Sequence, residues 1–437
     1  MNGYRCWISL AGFLLTLGCG MASAELRAGA AQVDITPPAG TPSAGYGARM
    51  GKGMEGVHDP LLATALVLDN GVKQVALVVG VDHLGMGKAM VDGVREQVQA
   101  NPALAQCELF LGSSHTHSGG GAYLNLPGIG DRLAGQFDQA IYQSYIDGAA
   151  KAVLQAVEHL QPAKLGVGYG AVDGLNSYRG DWPPNVETRD DVAVIKVTTV
   201  DDKPLAVLFN FAAHPTVLGA DNLKFSADYV GFARDALRQV LGEGVQPIFF
   251  NGAQGDVSPR TPEAADDFGR AEAMGKALAA EVQRVWNETT AVDATAFEVT
   301  RHTYPIVPPG VEVNLPPIFK GQSSEVGLLA INDKQAFVAI PGELSTIYDA
   351  DLKRFGGWLG FEHVSILGLT NDAHGYIITP ESWRHRTYES TLCFGGELYG
   401  DRVESMVDAM LHELEPEGSY NETRKQESTA VATLGGN

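Results

Sequence analysis

The sequence predicts an α/β fold: one large domain of mixed β-sheets flanked by α-helices. Three observations predict it. The 437-residue chain is 45% apolar and 19% charged, which suits a well-packed globular protein and not a disordered one. Short apolar runs alternate with longer stretches of helical periodicity. Several of those runs stop in a turn that carries a reactive side chain, and in α/β sheets ligands lie beyond the carboxyl ends of strands.

The chain opens on an address. Arg5 precedes the apolar run Trp7 to Leu17, and Ala22-Ser23-Ala24 is a small-x-small cleavage pattern. Residues 1–24 therefore read as a secretory signal cut after Ala24, which places the protein in the periplasm or outside the cell. The run is too short to span a bilayer, and no other stretch is apolar enough to be a transmembrane segment. Cys6 and Cys19 leave with the signal; the alternative, Cys19 as a lipid-attachment cysteine, has Thr16 where such a signal usually has Leu. Cys107 and Cys393 remain, either as a disulfide or as two buried thiols. The net charge of -21 argues against nucleic acid as a partner.

Ala31 to Pro38 reads as a strand stopped by prolines, and Pro42 to Gly56 as a glycine-rich loop. Thr64 to Leu68 and Gln74 to Val81 form a hairpin around Asn70-Gly71. Lys88 to Val98 and Phe137 to Leu160 have helical periodicity. Strands follow at Lys164 to Val172, Asp191 to Thr199 and Leu205 to Phe211. Ser226-Ala227-Asp228 caps a helix reaching Leu241. Pro247 to Phe250 is a short buried strand, and Phe268 to Trp286 a helix. The remainder is richer in strands: Ala296 to Tyr304, Val326 to Ile331, Ala336 to Ile340 and Val364 to Leu369. A last helix runs from Gly400 to Leu414. From Glu415 the composition turns to small and charged residues, so the domain spans 25–414 and a disordered tail 415–437.

The stretch Glu108 to Gly121 organises the chemistry. An apolar strand ends in Ser114-His115-Thr116-His117-Ser118, followed by three glycines. Residues two apart in extended chain face the same side, so both imidazoles reach one point. Four other strand ends finish in reactive groups: His214, the pair Asp256 and Ser258, Glu343, and Tyr376. Taken singly, each has a plainer reading: a core histidine, a turn, a helix-start carboxylate, a buried phenol. Together, two histidines and a carboxylate make an open zinc site. Ser258 sits on a tight turn that exposes a hydroxyl, and His117 can take its proton. Arg179 can bind a polar substrate group or an oxyanion.

These residues resemble a known family. Ser114 to Gly121 is similar to the His-Thr-His-Ser-Gly motif of the neutral/alkaline (non-lysosomal) ceramidases. Gly255-Asp256-Val257-Ser258-Pro259 resembles their active-serine motif. Phe211-Ala212-Ala213-His214 looks like their second zinc histidine, and Pro341-Gly342-Glu343 like their zinc glutamate. Gly375-Tyr376-Ile377-Ile378-Thr379 resembles the segment bearing their zinc tyrosine. Tyr388-Glu389 falls where the family has a substrate-contacting tyrosine. The motif order is preserved across about residues 28–413.

The resemblance implies a zinc-dependent amidase acting on an N-acyl bond, with His115, His214, Glu343 and Tyr376 as ligands of Zn2+. Ser258 is then the nucleophile or an aid to metal-activated water. His117 and Tyr388 relay protons or stabilise charge, and Arg179 assists. Some features depart from the family. Gly120 stands where a proline is common, and the segment between Ser258 and Glu343 is short. No long apolar run follows Gly121, and the chain ends too soon for the family's C-terminal immunoglobulin-like domain. The substrate is accordingly a lipid such as ceramide or a smaller acyl-amide. Two rivals stand beside this reading. Asp82, Asp228, Asp256 and Asp372 can build a second metal site for a phospho- or sulfoesterase, or the chain is a non-catalytic binding protein of the same fold.

Overall fold

The computed structural model describes residues 25–126, 128–293, 295–307 and 321–416. The signal read in residues 1–24 and nearly all of the tail lie outside them. The strands run in chain order β1 (Arg27–Asp34), β2 (Gly56–Val57), β3 (Leu62–Asp69), β4 (Gln74–Val81), β5 (Glu108–Ser113), β6 (Gln161–Ala171), β7 (Asn176–Tyr178), β8 (Asp191–Thr199) and β9 (Pro204–Phe211). They continue as β10 (Lys224–Phe225), β11 (Gln246–Asn251), β12 (Val257–Pro259), β13 (Phe297–Pro305), β14 (Ser323–Ile331), β15 (Gln335–Ala339), β16 (Glu343–Leu344), β17 (His363–Leu367) and β18 (Tyr376–Ile377). The helices are α1 (Lys88–Gln99), α2 (Ile129–Ala134), α3 (Gln139–Glu158), α4 (Tyr229–Leu241), α5 (Asp267–Glu288), α6 (Thr346–Leu359), α7 (Pro380–Arg384) and α8 (Tyr399–Glu413).

Alternation along the strands builds four layers. In β3, Leu66 and Leu68 face one core while Ala63, Ala65 and Val67 face another. In β15, Phe337 and Ala339 share the first core, and Ala336 and Val338 turn the other way. That shared core lies between an eight-stranded sheet, ordered β11-β9-β8-β6-β1-β3-β4-β5, and a four-stranded sheet, β13-β14-β15-β17. Helices α1 and α3 cover one half of the large sheet's outer face, and α4 and α5 the other. Helices α6 and α8 cover the small sheet. The order is helix, sheet, sheet, helix. Both sheets are mixed: β4/β5, β9/β11 and β15/β17 are parallel pairs, and the other neighbours are antiparallel. The sequence expectation of mixed sheets flanked by helices holds.

Two local expectations change. The Asn70-Gly71 turn is not a two-residue hairpin. Asn70 Oδ1 accepts from both Val72 and Lys73 amides, so the loop runs from Asn70 to Lys73. Helix α6 has no counterpart in the sequence reading. Its last turn holds Gly356 and Gly357, which weaken the helical signal. Gly356 is there for packing: a Cβ would meet Val364 Cγ2 of β17 at 2.3 Å.

The parallel pairs explain how distant residues meet. His214 follows β9, and the Ser258 turn follows its parallel neighbour β11. Glu343 follows β15, and Tyr376 its parallel neighbour β17. The segment after β17 joins the large sheet's two edge strands. The Gly368 amide donates to Asn251 O at the end of β11, and the Asn371 amide donates to Leu111 O in β5. Asn251 Nδ2 also donates to Ser114 O, 3.1 Å away. The end of β5, with its histidines, is thereby tied to the ends of β9 and β11.

Cys107 and Cys393 are both buried, in different cores, and no disulfide joins them. Among the described residues no helix is long and apolar enough to cross a membrane. Beneath the site lies a buried ion pair. Asp82, fully buried, accepts two hydrogen bonds from Arg234, at 3.1 and 2.6 Å, and one from the Leu62 amide. Removing one partner strands the other charge in a dry interior. Asp82→Ala is therefore expected to lower unfolding stability by about 3–5 kcal/mol in a denaturant titration.

Candidate functional site

The histidines converge by a route the sequence did not show. Strand β5 ends at Ser113, and His115 has φ +70, outside extended geometry. The His115 amide donates to His83 O and the His117 amide to Pro215 O, so the turn is held on both sides. Thr116 Oγ1 donates to Ser226 O, 2.8 Å away. A kinked turn, and not strand periodicity, brings the His117 and His115 Nε2 atoms to 3.4 Å. His214 joins them, and ligand atoms of the three rings lie within 4.8 Å of one another.

The rings are oriented from behind. His115 Nδ1–H donates to Leu84 O at 2.6 Å, and His214 Nδ1–H donates to Val257 O at 3.0 Å. A carbonyl only accepts, so in each neutral ring the proton sits on Nδ1 and the Nε2 lone pair points inward. Glu343 Oε2 stands 3.3 Å from His115 Nε2 and 3.0 Å from His214 Nε2. Burial, with Arg179 nearby, pushes the His214 imidazole down to about 4. Burial and the two neighbouring rings push His117 well below the usual histidine range. Two inward lone pairs and a carboxylate oxygen thus share one point, an arrangement that one positive species, a proton or a metal ion, would balance.

Glu343 and Tyr376 are register partners in the short parallel pair β16/β18, and both are buried. Burial, with Glu343 alongside, raises the Tyr376 phenol well above its ordinary value. Arg179 completes the group. Its Nη2 donates to Gly255 O at 2.9 Å and to Tyr376 Oη at 3.1 Å, and lies 3.2 Å from His214 Nε2. Tyr388 stands at the rim, 61% exposed, its ring 6.1 Å from that of Tyr376. Ser258 is half-buried in β12, opposite Ser177 of β7. Its neighbour Val257 holds His214, so the serine belongs to the same frame.

A family model described as neutral/alkaline non-lysosomal ceramidase, N-terminal, matches residues 26–303. The chain belongs to that family. Neutral ceramidase A of Dictyostelium discoideum is 26% identical over 297 residues, 61% of this chain and 41% of that protein. Neutral ceramidase 1 of Arabidopsis thaliana is 27% identical over 240 residues, 52% of this chain and 31% of that protein. The aligned stretches thus cover less than half the length of these curated relatives. The crystal structure of neutral ceramidase from Pseudomonas aeruginosa superposes with a TM-score of 0.77 at 17% identity, over 91% of this chain and 76% of that one. A structure described as ceramidase complexed with C2 gives 0.79 at 16%, over 89% and 75%. These likenesses establish the fold.

Within this ceramidase-family fold the glycines after His117 serve packing. A Cβ on Gly119 would meet Asp82 O at 2.5 Å, and one on Gly121 would meet Ala134 O at 2.4 Å. They admit the close approach of neighbouring backbone. The four acids of the two-metal alternative are likewise committed elsewhere. Asp82 holds Arg234. Asp228 accepts from the Leu218 and Tyr229 amides, and Asp256 from Ser345 and the Thr346 amide at the start of α6. Asp372 accepts from the Lys88 and Ala373 amides and from Ser324. Among the described residues the histidine trio is the group of three or more His, Cys, Asp or Glu side chains that can hold a metal ion.

Three neighbours of the site were not legible as such. Tyr46 sets its ring 4.8 Å from that of His117, and Arg49 Nη1 donates to His117 O. Both come from the loop read only as glycine-rich. Gly45 was a usable signal: at φ +109 it lies so near that a Cβ would meet the His117 ring at 2.6 Å. The third is Glu389, a buried carboxylate 3.4 Å from Arg179 Nε.

Proposed function

We propose that the chain is an exported zinc-dependent amidase that hydrolyses the N-acyl bond of ceramide or a related acyl-amide. The observation that carries this is the meeting of the His115 and His214 lone pairs with Glu343 Oε2 beneath Tyr376 and Arg179. Two imidazole nitrogens and a carboxylate oxygen suit zinc, and with Tyr376 as a fourth donor a five-coordinate ion would still keep one position for water or substrate. His115, His214, Glu343 and Tyr376 would hold the ion. When bound, it would polarise the amide carbonyl and acidify water.

The chain's own residues divide the remaining work. Leu84 O and Val257 O fix the imidazoles, and the buried Asp82–Arg234 pair underlies the histidine turn. His117 Nδ1 has no hydrogen-bond partner among the described residues, so it is open to a proton in transit, and burial, which disfavours the charged ring, favours passing that proton on. With Ser258 as nucleophile, its Oγ bonds to the acyl carbon and its proton passes through His117 to the leaving nitrogen as the C–N bond breaks. Water then hydrolyses the acyl ester and restores the serine. Tyr388 at the rim meets the substrate.

The test is turnover of a panel: long- and short-chain N-acylsphingosines, a soluble N-acyl amino acid and a phosphate monoester, each before and after chelation. Amide hydrolysis lost on chelation and restored by zinc is expected. Hydrolysis of the phosphate ester, or of nothing, would count against the reading.

A further inference from the structure

With a metal ion in the site, Arg179 would be a second cation at close range. Its Nη2 lies 3.2 Å from His214 Nε2 and 3.1 Å from Tyr376 Oη, inside the donor set proposed to hold zinc. Two like charges at that range repel, the more so away from water. A guanidinium stays there only if something anchors and offsets it. The carboxylates nearby are mostly committed. Glu343 faces two imidazoles, and Asp256 receives Ser345 and the Thr346 amide. Glu389 is the one turned to the arginine, its Oε1 at 3.4 Å from Nε.

The local sequence delivers it. A single turn of 3-10 helix, Tyr388–Leu392, sends Tyr388 outward at 61% exposed and Glu389 inward at 3%. Burying a carboxylate so fully is costly without a partner, and Arg179 is that partner. The arginine is fixed at three further points: its amide donates to Asp256 O, and Nη2 donates to Gly255 O and Tyr376 Oη. The pair thus joins the rim turn, the β11–β12 loop and the β18 tyrosine.

We infer that Glu389 is a positioning residue: its ion pair with Arg179 holds the guanidinium against Tyr376 and offsets its charge beside the metal-binding histidines. The inference rests on the zinc-site reading above. It differs from a merely structural role in sign. Without Glu389, Arg179 becomes an uncompensated cation and weakens zinc binding. Without both, zinc binding recovers.

The experiment is zinc titration of the metal-free protein by calorimetry for wild type, E389Q, R179A and the double variant, with melting temperatures and with kcat and KM on whichever acyl-amide is hydrolysed. E389Q is expected to weaken zinc binding and lower kcat by about 10–100-fold with KM nearly unchanged. E389D should recover part of the loss. R179A/E389Q should bind zinc more tightly than E389Q, a non-additive result. Equal or additive losses in the double variant, or a lowered melting temperature with unchanged zinc affinity, would overturn it. A wild type that binds no zinc would instead remove the metal site itself, and this proposal with it.

Discussion

His214→Ala is expected to take bound zinc from about one ion per chain to near zero and to abolish acyl-amide hydrolysis. The ring is fixed by Val257 O and lies 3.0 Å from Glu343 Oε2, so its loss removes a ligand and frees its carboxylate neighbour. A metal that polarises a carbonyl lowers the barrier by several kcal/mol, so the loss in kcat is about 10³-fold or more. The fold should survive, because His214 belongs to the polar cluster and not to an apolar core. Metal analysis and circular dichroism of the variant check both parts. Full zinc occupancy in His214→Ala would mean that the ion sits elsewhere.

Ser258→Ala separates the two roles left open for the serine. It should keep zinc, since the hydroxyl is outside the proposed ligand set. If Ser258 is the nucleophile, kcat falls by about 10³-fold or more and no acyl-enzyme forms. If it only assists water, the fall is about 10²–10³-fold, the size of one lost transition-state hydrogen bond. Mass spectrometry of an acid-quenched reaction decides between them. We expect an acyl adduct on wild type and none on Ser258→Ala.

The strands were legible because burial leaves a simple mark. Leu205–Phe209 and Leu109–Leu111 are continuous apolar runs, as strands covered on both faces must be. The reactive residues were legible because they stand just past those runs. Their convergence could be expected from the order of the chain, but its geometry could not, since it depends on the join between β5, β11 and the segment after β17. The His115 kink was hidden for a related reason: a positive φ is uncommon outside glycine, and here the backbone bonds to His83 and Pro215 hold it. Glu389 and Arg49 lie in single 3-10 turns and Tyr46 just before one, all too short to show periodicity, and their roles exist only through tertiary contacts. The four aspartates misled in the opposite direction. An acid after an apolar run looks like a ligand, yet Asp228 and Asp256 sit at the starts of α4 and α6 and receive their amides. Sequence shows where a carboxylate falls, and only the fold shows what it faces.

The proposed chemistry turns on side chains from residue 115 to residue 376 holding one metal ion. Crystals of the zinc-reconstituted protein, measured at the zinc absorption edge, give the decisive test. A single strong anomalous peak is expected about 2.0–2.2 Å from His115 Nε2, His214 Nε2 and a Glu343 carboxylate oxygen. A peak distant from all three, or none in protein shown to bind zinc in solution, would contradict it.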